Sequence, residues 1–300
     1  MVKIAYSPVY KYRLPDGHRF PMVKYELLPE QLLYEGTVSE DQFFSPDLLP
    51  EEVLLWTHTK EYWHKLLNQE LSRKEERAIG FPLRPDLIQR GRHIAQGTID
   101  CARYAREYGV ALNIAGGTHH AYAHRGEGFC VFNDFAIAAN FLLRNKESER
   151  ILIVDLDVHQ GNGTAHIFQD EPRVFTFSMH GERNYPLRKE QSDLDIGLPD
   201  KTKGDAYLKV LESTLPKLIK DHQPDLVFYL SGVDVLESDR LGRLSLSVQA
   251  CKERDRFVFN ACKAPNIPVA VSMGGGYSKK IANIIEGHAN TYRVAIDIFD

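Results

Sequence analysis

Short apolar runs recur along the chain at Val2–Tyr6, Val110–Ala115, Ile151–Asp155, Val174–Ser178, Leu226–Leu230, Val269–Ser272 and Val294–Ile298. They are rich in β-branched and aromatic residues, the pattern of strands buried on both faces of a parallel sheet. Between most of them the apolar period is helical. Leu87, Ile94, Ile99 and Ala102 mark a helix over Asp86–Tyr108 that stops at Gly109. Asn133–Arg144 reads as an apolar helix capped by Asn133, with further helices at Asp205–His222 and Val248–Lys263. Strands alternating with helices predict an α/β fold, a mostly parallel central sheet covered on both faces. Beyond Val2–Tyr6, the first hundred residues show helical pieces at Pro29–Tyr34, Pro50–Leu55 and Lys60–Leu71, split by turns, with little strand character. Residues 1–85 therefore read as a mainly helical layer of one catalytic-sized domain, 1–300. No flexible linker, repeat or low-complexity tract divides it.

Composition adds exclusions. Of 300 residues 43% are hydrophobic and 26% charged, with a net charge of -4, as in an ordinary globular protein without a bias toward nucleic acid or acidic membranes. Basic residues are frequent between Lys60 and Arg92, but interleaved acids make that stretch read as a solvated helical surface. Cys101, Cys130, Cys251 and Cys262 form no CxxC pair, so reduced thiols in a cytoplasmic setting are expected. Met1–Tyr12 has no long apolar region of the signal-peptide type, and no run approaches the roughly 20 apolar residues of a membrane span.

Unusual residues cluster where strands end, the place where open parallel sheets bind ligands. Asp155, Asp157 and His159 close the third run and should project to one side by strand alternation. Asp157 and His159 suit a divalent metal such as zinc; the alternative is a strand-end ion pair capping the next helix. Asp234, at the end of another strand, is a third candidate ligand or else a helix cap. Three protein ligands leave a fourth position open, the arrangement of a catalytic zinc. His119-His120 follow Gly116-Gly117-Thr118 and either handle protons near that metal or are structural. Gly274-Gly275-Gly276-Tyr277 lacks the spacing of a phosphate loop and instead presents the Tyr277 hydroxyl as a donor to a developing oxyanion.

Together the segments GGTHHAYAHRGEGFCVFND, ILIVDLDVHQGNGTAHIF, VFTFSMHG, LSGVDVLESDRLGRLSLS and SMGGGYS resemble the zinc-dependent histone deacetylase superfamily, which includes bacterial acetylpolyamine amidohydrolases. The HQGNG ending and SGVDVLESDRLG look most like its class IV branch. The resemblance implies a three-layer α/β/α arginase/deacetylase-type fold and one zinc per chain on Asp157, His159 and Asp234. It also implies that Asp155 bonds His119, that Asn162 bonds His120, and that Tyr277 is the transition-state tyrosine. Phe129 and Tyr185 would flank an acyl-lysine tunnel with Leu241 at its wall, and Gly128 and Gly275 would contribute backbone. A structural K+ would use Asp155, Ser178 and backbone oxygens of Asp157, His159 and Met179, with a second such site near Phe168 and Val174.

The implied reaction is hydrolysis of an Nε-acyl-lysine amide, of acetyl or longer chains, on a protein, a peptide or an acylated small amine. Competing readings are a two-metal ureohydrolase, which needs further bridging carboxylates, and a non-enzymatic acyl-lysine binder, which needs no proton-transfer groups. Acetylpolyamine hydrolysis would favour an acidic entrance. Glu182, Glu190, Asp193 and Asp195 are candidates for it, although solvated loop charge is the better account of them.

Overall fold

The computed structural model describes residues 1–300. Eight strands form one sheet: β1 (Lys3–Ala5), β2 (Phe43–Phe44), β3 (Val110–Asn113), β4 (Ile151–Asp155), β5 (Val174–Gly181), β6 (Leu194–Leu198), β7 (Leu226–Leu230) and β8 (Val269–Ser272). Their order is β2-β1-β3-β8-β7-β4-β5-β6 and every pairing is parallel. A parallel sheet needs crossover connections, and helices supply most of them. In chain order these are α1 (Lys24–Tyr34), α2 (Glu51–Leu54), α3 (Lys60–Leu67), α4 (Arg73–Ile79), α5 (Pro85–Tyr108), α6 (Asp134–Arg144), α7 (Asn162–Phe168), α8 (Gly204–His222), α9 (Val248–Lys263) and α10 (Ile281–Phe299). Helices α5, α6 and α7 pack in one row, and α8, α9, α10 and α1 in another. The result is the three-layer α/β/α architecture. One continuous apolar core takes in residues from Val2 to Ala295.

Register explains where the chemistry gathers. Asn113 of β3 pairs with Ser272 of β8, Ser272 with Leu230 of β7, Leu230 with Asp155 of β4, and Asp155 with Ser178 of β5. The strands thus end in one row, and their following loops rise from a common edge.

The predicted helices at Asp86–Tyr108, Asn133–Arg144 and Asp205–His222 agree with α5, α6 and α8 to within a residue, and Val248–Lys263 matches α9 end for end. Asn133 caps α6 as expected, its side chain accepting from Ala136 N at 3.0 Å. Three expectations need correction. Val294–Ile298 is the last turn of α10 and not a strand. A five-residue apolar run fits either state, and the buried Ile284, His288, Ala289, Tyr292 and Ala295 set the helical period. The N-terminal region is less purely helical than its pattern suggests, since β1 and β2 form one edge of the sheet. The opposite edge, β6, went unseen because Asp195 and Gly197 interrupt its apolar pattern, as edge strands permit.

Candidate active site

The loop after β3 carries the histidine pair. Gly116 and Gly117 adopt φ of 84° and 68°, a left-handed turn that disfavours side chains. Asp134, the buried first residue of α6, pins this turn. Its carboxylate accepts from Gly117 N at 3.2 Å, Thr118 N at 2.8 Å and Thr118 Oγ1 at 2.7 Å, and also from Thr98 and Ser272 hydroxyls. A carboxylate accepting that many bonds fixes the backbone that sets His119 and His120.

Asp157 and His159 lie beyond the end of β4. Strand alternation does not aim them, because the strand stops at Asp155. Two local turns do. Asp155 Oδ1 accepts from Asp157 N at 3.1 Å, and Asp157 Oδ1 accepts from His159 N at 2.9 Å. Asp234, after β7, accepts from Val158 N at 3.0 Å. Beneath, the fully buried Arg254 of α9 donates to Leu156 O at 3.3 Å and Gly232 O at 2.7 Å, tying the two loops together. Asp255 balances its charge at 2.8 Å. From the loop after β8, Gly275 N donates to Asp157 Oδ2 at 2.9 Å. A Cβ on Gly275 would collide with the carboxylates of Asp234 and Asp157, so only glycine permits this approach.

One ligand-type atom from each of Asp157, His159 and Asp234 lies within 4.8 Å of the others, and all three residues are buried. His159 Nδ1 is 3.0 Å from Asp157 Oδ1 and 3.2 Å from Asp234 Oδ2. Asp234 Oδ2 is nevertheless buried without a hydrogen-bond partner. Burial and the facing Asp157 charge push the Asp234 carboxyl up to about 7. Two buried carboxylates, an imidazole nitrogen and an orphaned oxygen form a donor set that fits a divalent cation.

The two histidines differ electrostatically. His119 Nδ1 is 2.6 Å from Asp155 Oδ2. Burial alone would lower its pKa, but the Asp155 charge and hydrogen bond, with Asp157, raise it above the usual histidine value. His120 Nδ1 is 2.6 Å from Asn162 Oδ1. Burial, then the neighbouring His119 and His159, push His120 well below that value. Asn162 Nδ2 donates to Glu127 Oε1 at 2.7 Å and to Tyr122 OH at 3.0 Å. A carboxylate only accepts, so Glu127 orients the Asn162 amide with its oxygen toward His120. His120 therefore carries its proton on Nδ1 and keeps Nε2 free as an acceptor.

Tyr277 lies across from this pair. Its N donates to Asp239 Oδ2 at 2.6 Å, and its ring centroid is 6.5 Å from that of His159. Burial, followed by the Asp234 and Asp157 charges, holds its phenol well above the usual tyrosine value, so it stays a donor. An outer funnel bordered by Phe129, Tyr185 and Leu241 meets a small inner cavity of about 30 Å³ at His120, Phe129, His159 and Tyr277. The Tyr185 ring stands edge-on to His120 at 5.0 Å, and its hydroxyl donates to Glu127 at 2.8 Å. Gly128 packs so close to the His120 ring that a Cβ there would overlap it.

The structure thus brings together His119, His120, Asp155, Asp157, His159, Asn162, Asp234, Gly275 and Tyr277, with Gly128, Phe129, Tyr185 and Leu241 around the approach. Ser178 pairs in register with Asp155 and accompanies Met179 on β5. Three of the four acids weighed for an acidic entrance are otherwise engaged. Asp193 accepts from Thr176 N, Asp195 from Gln160 Nε2 and Ser192 N, and Glu190 from the Tyr122 hydroxyl, while Glu182 is exposed. The basic stretch Lys60–Arg92 is not all solvated surface: Arg90 is buried against the inner cavity and Arg77 stands at the funnel. Sequence reasoning missed Asp134, Glu127, Arg254 and Lys24, the last a buried lysine whose Nζ donates to Gly274 O at 3.0 Å beside the Gly275–Tyr277 segment. Glu127 and Asp134 sat inside the quoted GEGFCVFND segment, where a carboxylate among glycines and apolar residues was the available signal. Arg254 and Lys24 carried none.

A parallel α/β/α fold with this buried Asp-His-Asp set and paired histidines at its strand ends defines a class of hydrolase. Residues 18–292 match the histone deacetylase domain, and the chain belongs to that family. It is 44% identical over 296 residues to an uncharacterized protein of Picosynechococcus sp. (strain ATCC 27264 / PCC 7002 / PR-6), covering 99% of both. It is 32% identical to histone deacetylase 2 of Arabidopsis thaliana, covering 95% of this chain and 76% of that one. The crystal structure of an HDAC homologue from Aquifex aeolicus superposes with a TM-score of 0.83 at 25% identity, covering 97% of this chain and 82% of the other. No helix is long and apolar enough to cross a membrane.

Proposed function

We propose that this chain is a zinc-dependent deacylase of the class IV type that hydrolyses Nε-acyl-lysine, with residues 1–300 acting as one catalytic unit. The observation that carries the reading is the placement of two histidines of opposite proton affinity beside the buried Asp157, His159 and Asp234. When held by those three residues, zinc supplies the Lewis acidity that polarises the acyl carbonyl and acidifies the attacking water.

The chain's own groups do the rest. His120 Nε2, kept neutral and lone-pair-bearing by burial and by Asn162, takes the proton of the attacking water. The same nitrogen then delivers it to the leaving lysine amine. His119, held toward the cationic form by Asp155, offsets the negative charge that develops nearby. The Tyr277 phenol donates to the carbonyl oxygen as it becomes an oxyanion. Phe129 and Tyr185 confine the lysine stem, with Leu241 at the wall and Gly128 and Gly275 permitting close approach. The inner cavity, lined by Phe20, Tyr25, Ile94 and Arg90, lies where the acyl group would point. A structural K+ on Asp155, Ser178 and backbone oxygens of Asp157, His159 and Met179 would brace the loop after β4. The expected setting is cytoplasmic, in keeping with four buried free cysteines.

The test is one lysine peptide carrying acyl chains from acetyl to myristoyl. Formation of the deacylated peptide and the matching free carboxylate from at least one member supports the reading, and no hydrolysis of any by zinc-loaded protein refutes it.

A further inference from the structure

Four arginines ring the funnel: Arg19 from the loop before α1, Arg77 from α4, Arg183 from the loop after β5, and Arg243 from the loop after β7. All four are exposed, and the lining of this opening of about 490 Å³ contains no carboxylate. Arg243 pairs with Asp200 at 3.0 Å. Arg19, Arg77 and Arg183 make no ion pair: Arg19 stands 5.0 Å over the Phe129 ring, and Arg77 donates only to the Arg73 carbonyl. The patch runs against the chain's net charge of -4.

Three unneutralised guanidiniums converge from separate parts of the chain on an opening that leads to His120 and Tyr277. A low-dielectric concavity lined by one sign of charge concentrates ligands of the other sign and repels its own. Guanidinium also matches a carboxylate in two-point geometry.

Resting on the deacylase reading, we propose that this rim selects acyl-lysine within an acidic peptide segment, with Asp or Glu flanking the modified lysine. With the acyl-lysine reaching inward past Phe129 and Tyr185, the flanking residues remain at the arginines. The same rim opposes polycationic substrates, which weighs against acylated polyamines.

The test compares three peptides of equal length bearing one acyl-lysine, flanked by Glu, by Ala or by Lys. At low ionic strength kcat/KM should fall in that order, with a Glu-to-Lys ratio on the order of 10-fold, as expected for a few exposed charge pairs. The difference should reside mainly in KM and fade at about 1 M salt, where the screening length is ~3 Å. Arg77→Gln with Arg183→Gln should shrink the ratio, and Arg77→Glu with Arg183→Glu should invert it. Equal kcat/KM for the three wild-type reactions, or preference for Lys flanks, overturns the proposal while leaving the deacylase reading standing. If no peptide is hydrolysed, the deacylase reading falls separately. Fluorescence anisotropy of the same labelled peptides then decides the rim, equal affinities overturning it and tighter binding of the Glu peptide supporting it. Stronger inhibition by a single-stranded oligonucleotide than by a poly-glutamate of matched charge overturns the peptide assignment.

Discussion

Replacing Glu127 by Gln probes the step on which the proposed chemistry turns, the choice of nitrogen that carries the His120 proton. Glu127 Oε1 receives the Asn162 amide at 2.7 Å and the Tyr185 hydroxyl at 2.8 Å, while Asn162 Oδ1 faces His120 Nδ1 at 2.6 Å. With a carboxylate at 127 only one amide orientation is tolerated. With Gln, either orientation finds a partner, and the wrong one presents an NH2 group to His120 and favours the Nε2–H tautomer, which is no base. Exchanging a charge-assisted bond for a neutral one forfeits about 1–1.5 kcal/mol. As the competent fraction falls to half or less when that bias is lost, kcat should drop roughly 2- to 10-fold, according to how far the mixture tips toward the Nε2–H form, with a smaller change in KM. Glu127 touches no reacting atom, so it is a positioning residue, and the decisive readout is the tautomer. Nitrogen-15 NMR of His120 should report Nδ1–H in the wild type and a mixture in Glu127→Gln. An unchanged tautomer together with unchanged kcat would refute the reasoning.

Three other perturbations test separate parts of the structure. Tyr277→Phe should lower kcat by ~100-fold or more, the scale of one lost oxyanion donor, in steady-state assays; near-wild-type turnover would remove Tyr277 from the chemistry. Arg254→Met strands the buried Asp255 and frees the loops after β4 and β7, which should cost about 3–5 kcal/mol in urea unfolding, and a midpoint equal to wild type would contradict the clamp. Lys24, fully buried with its ammonium 3.0 Å from Gly274 O, is driven by burial from the ordinary lysine value of 10.5 down to about 8. Between those values the unfolded chain holds the extra proton, so stability should rise by about 3 kcal/mol from pH 8 to 10.5 on this account; Lys24→Met should flatten the rise, and an identical slope would discount it.

Much of the fold was legible because the central strands are fully buried and the long helices carry their own stop signals. β4 and β7 read as unbroken apolar runs, and α5 ends at Gly109, whose φ is 82°. The last turn of α10 was misread because Ile, Val and Ala serve either element when taken five at a time. β2 and β6 escaped notice since an edge strand buries one side and tolerates Asp195 and Gly197. At the site, residue type and strand-end position marked Asp157, His159 and Asp234, and the family resemblance paired His119 with Asp155 and His120 with Asn162. What stayed hidden were groups acting from a distance in sequence. Arg254 lies 98 residues from the Leu156 carbonyl it holds, and Lys24 lies 250 from Gly274. The arginine rim is assembled from four separated segments, and no local pattern announces it.

The most direct test of the account is a metal titration of the stripped protein. Chelated protein should show no turnover of its preferred acyl-lysine peptide. Activity should return linearly and saturate at one equivalent of zinc per chain, while Asp157→Ala should neither retain the metal nor recover. Full activity after stripping, or saturation only at two equivalents, would contradict a single metal centre at Asp157, His159 and Asp234.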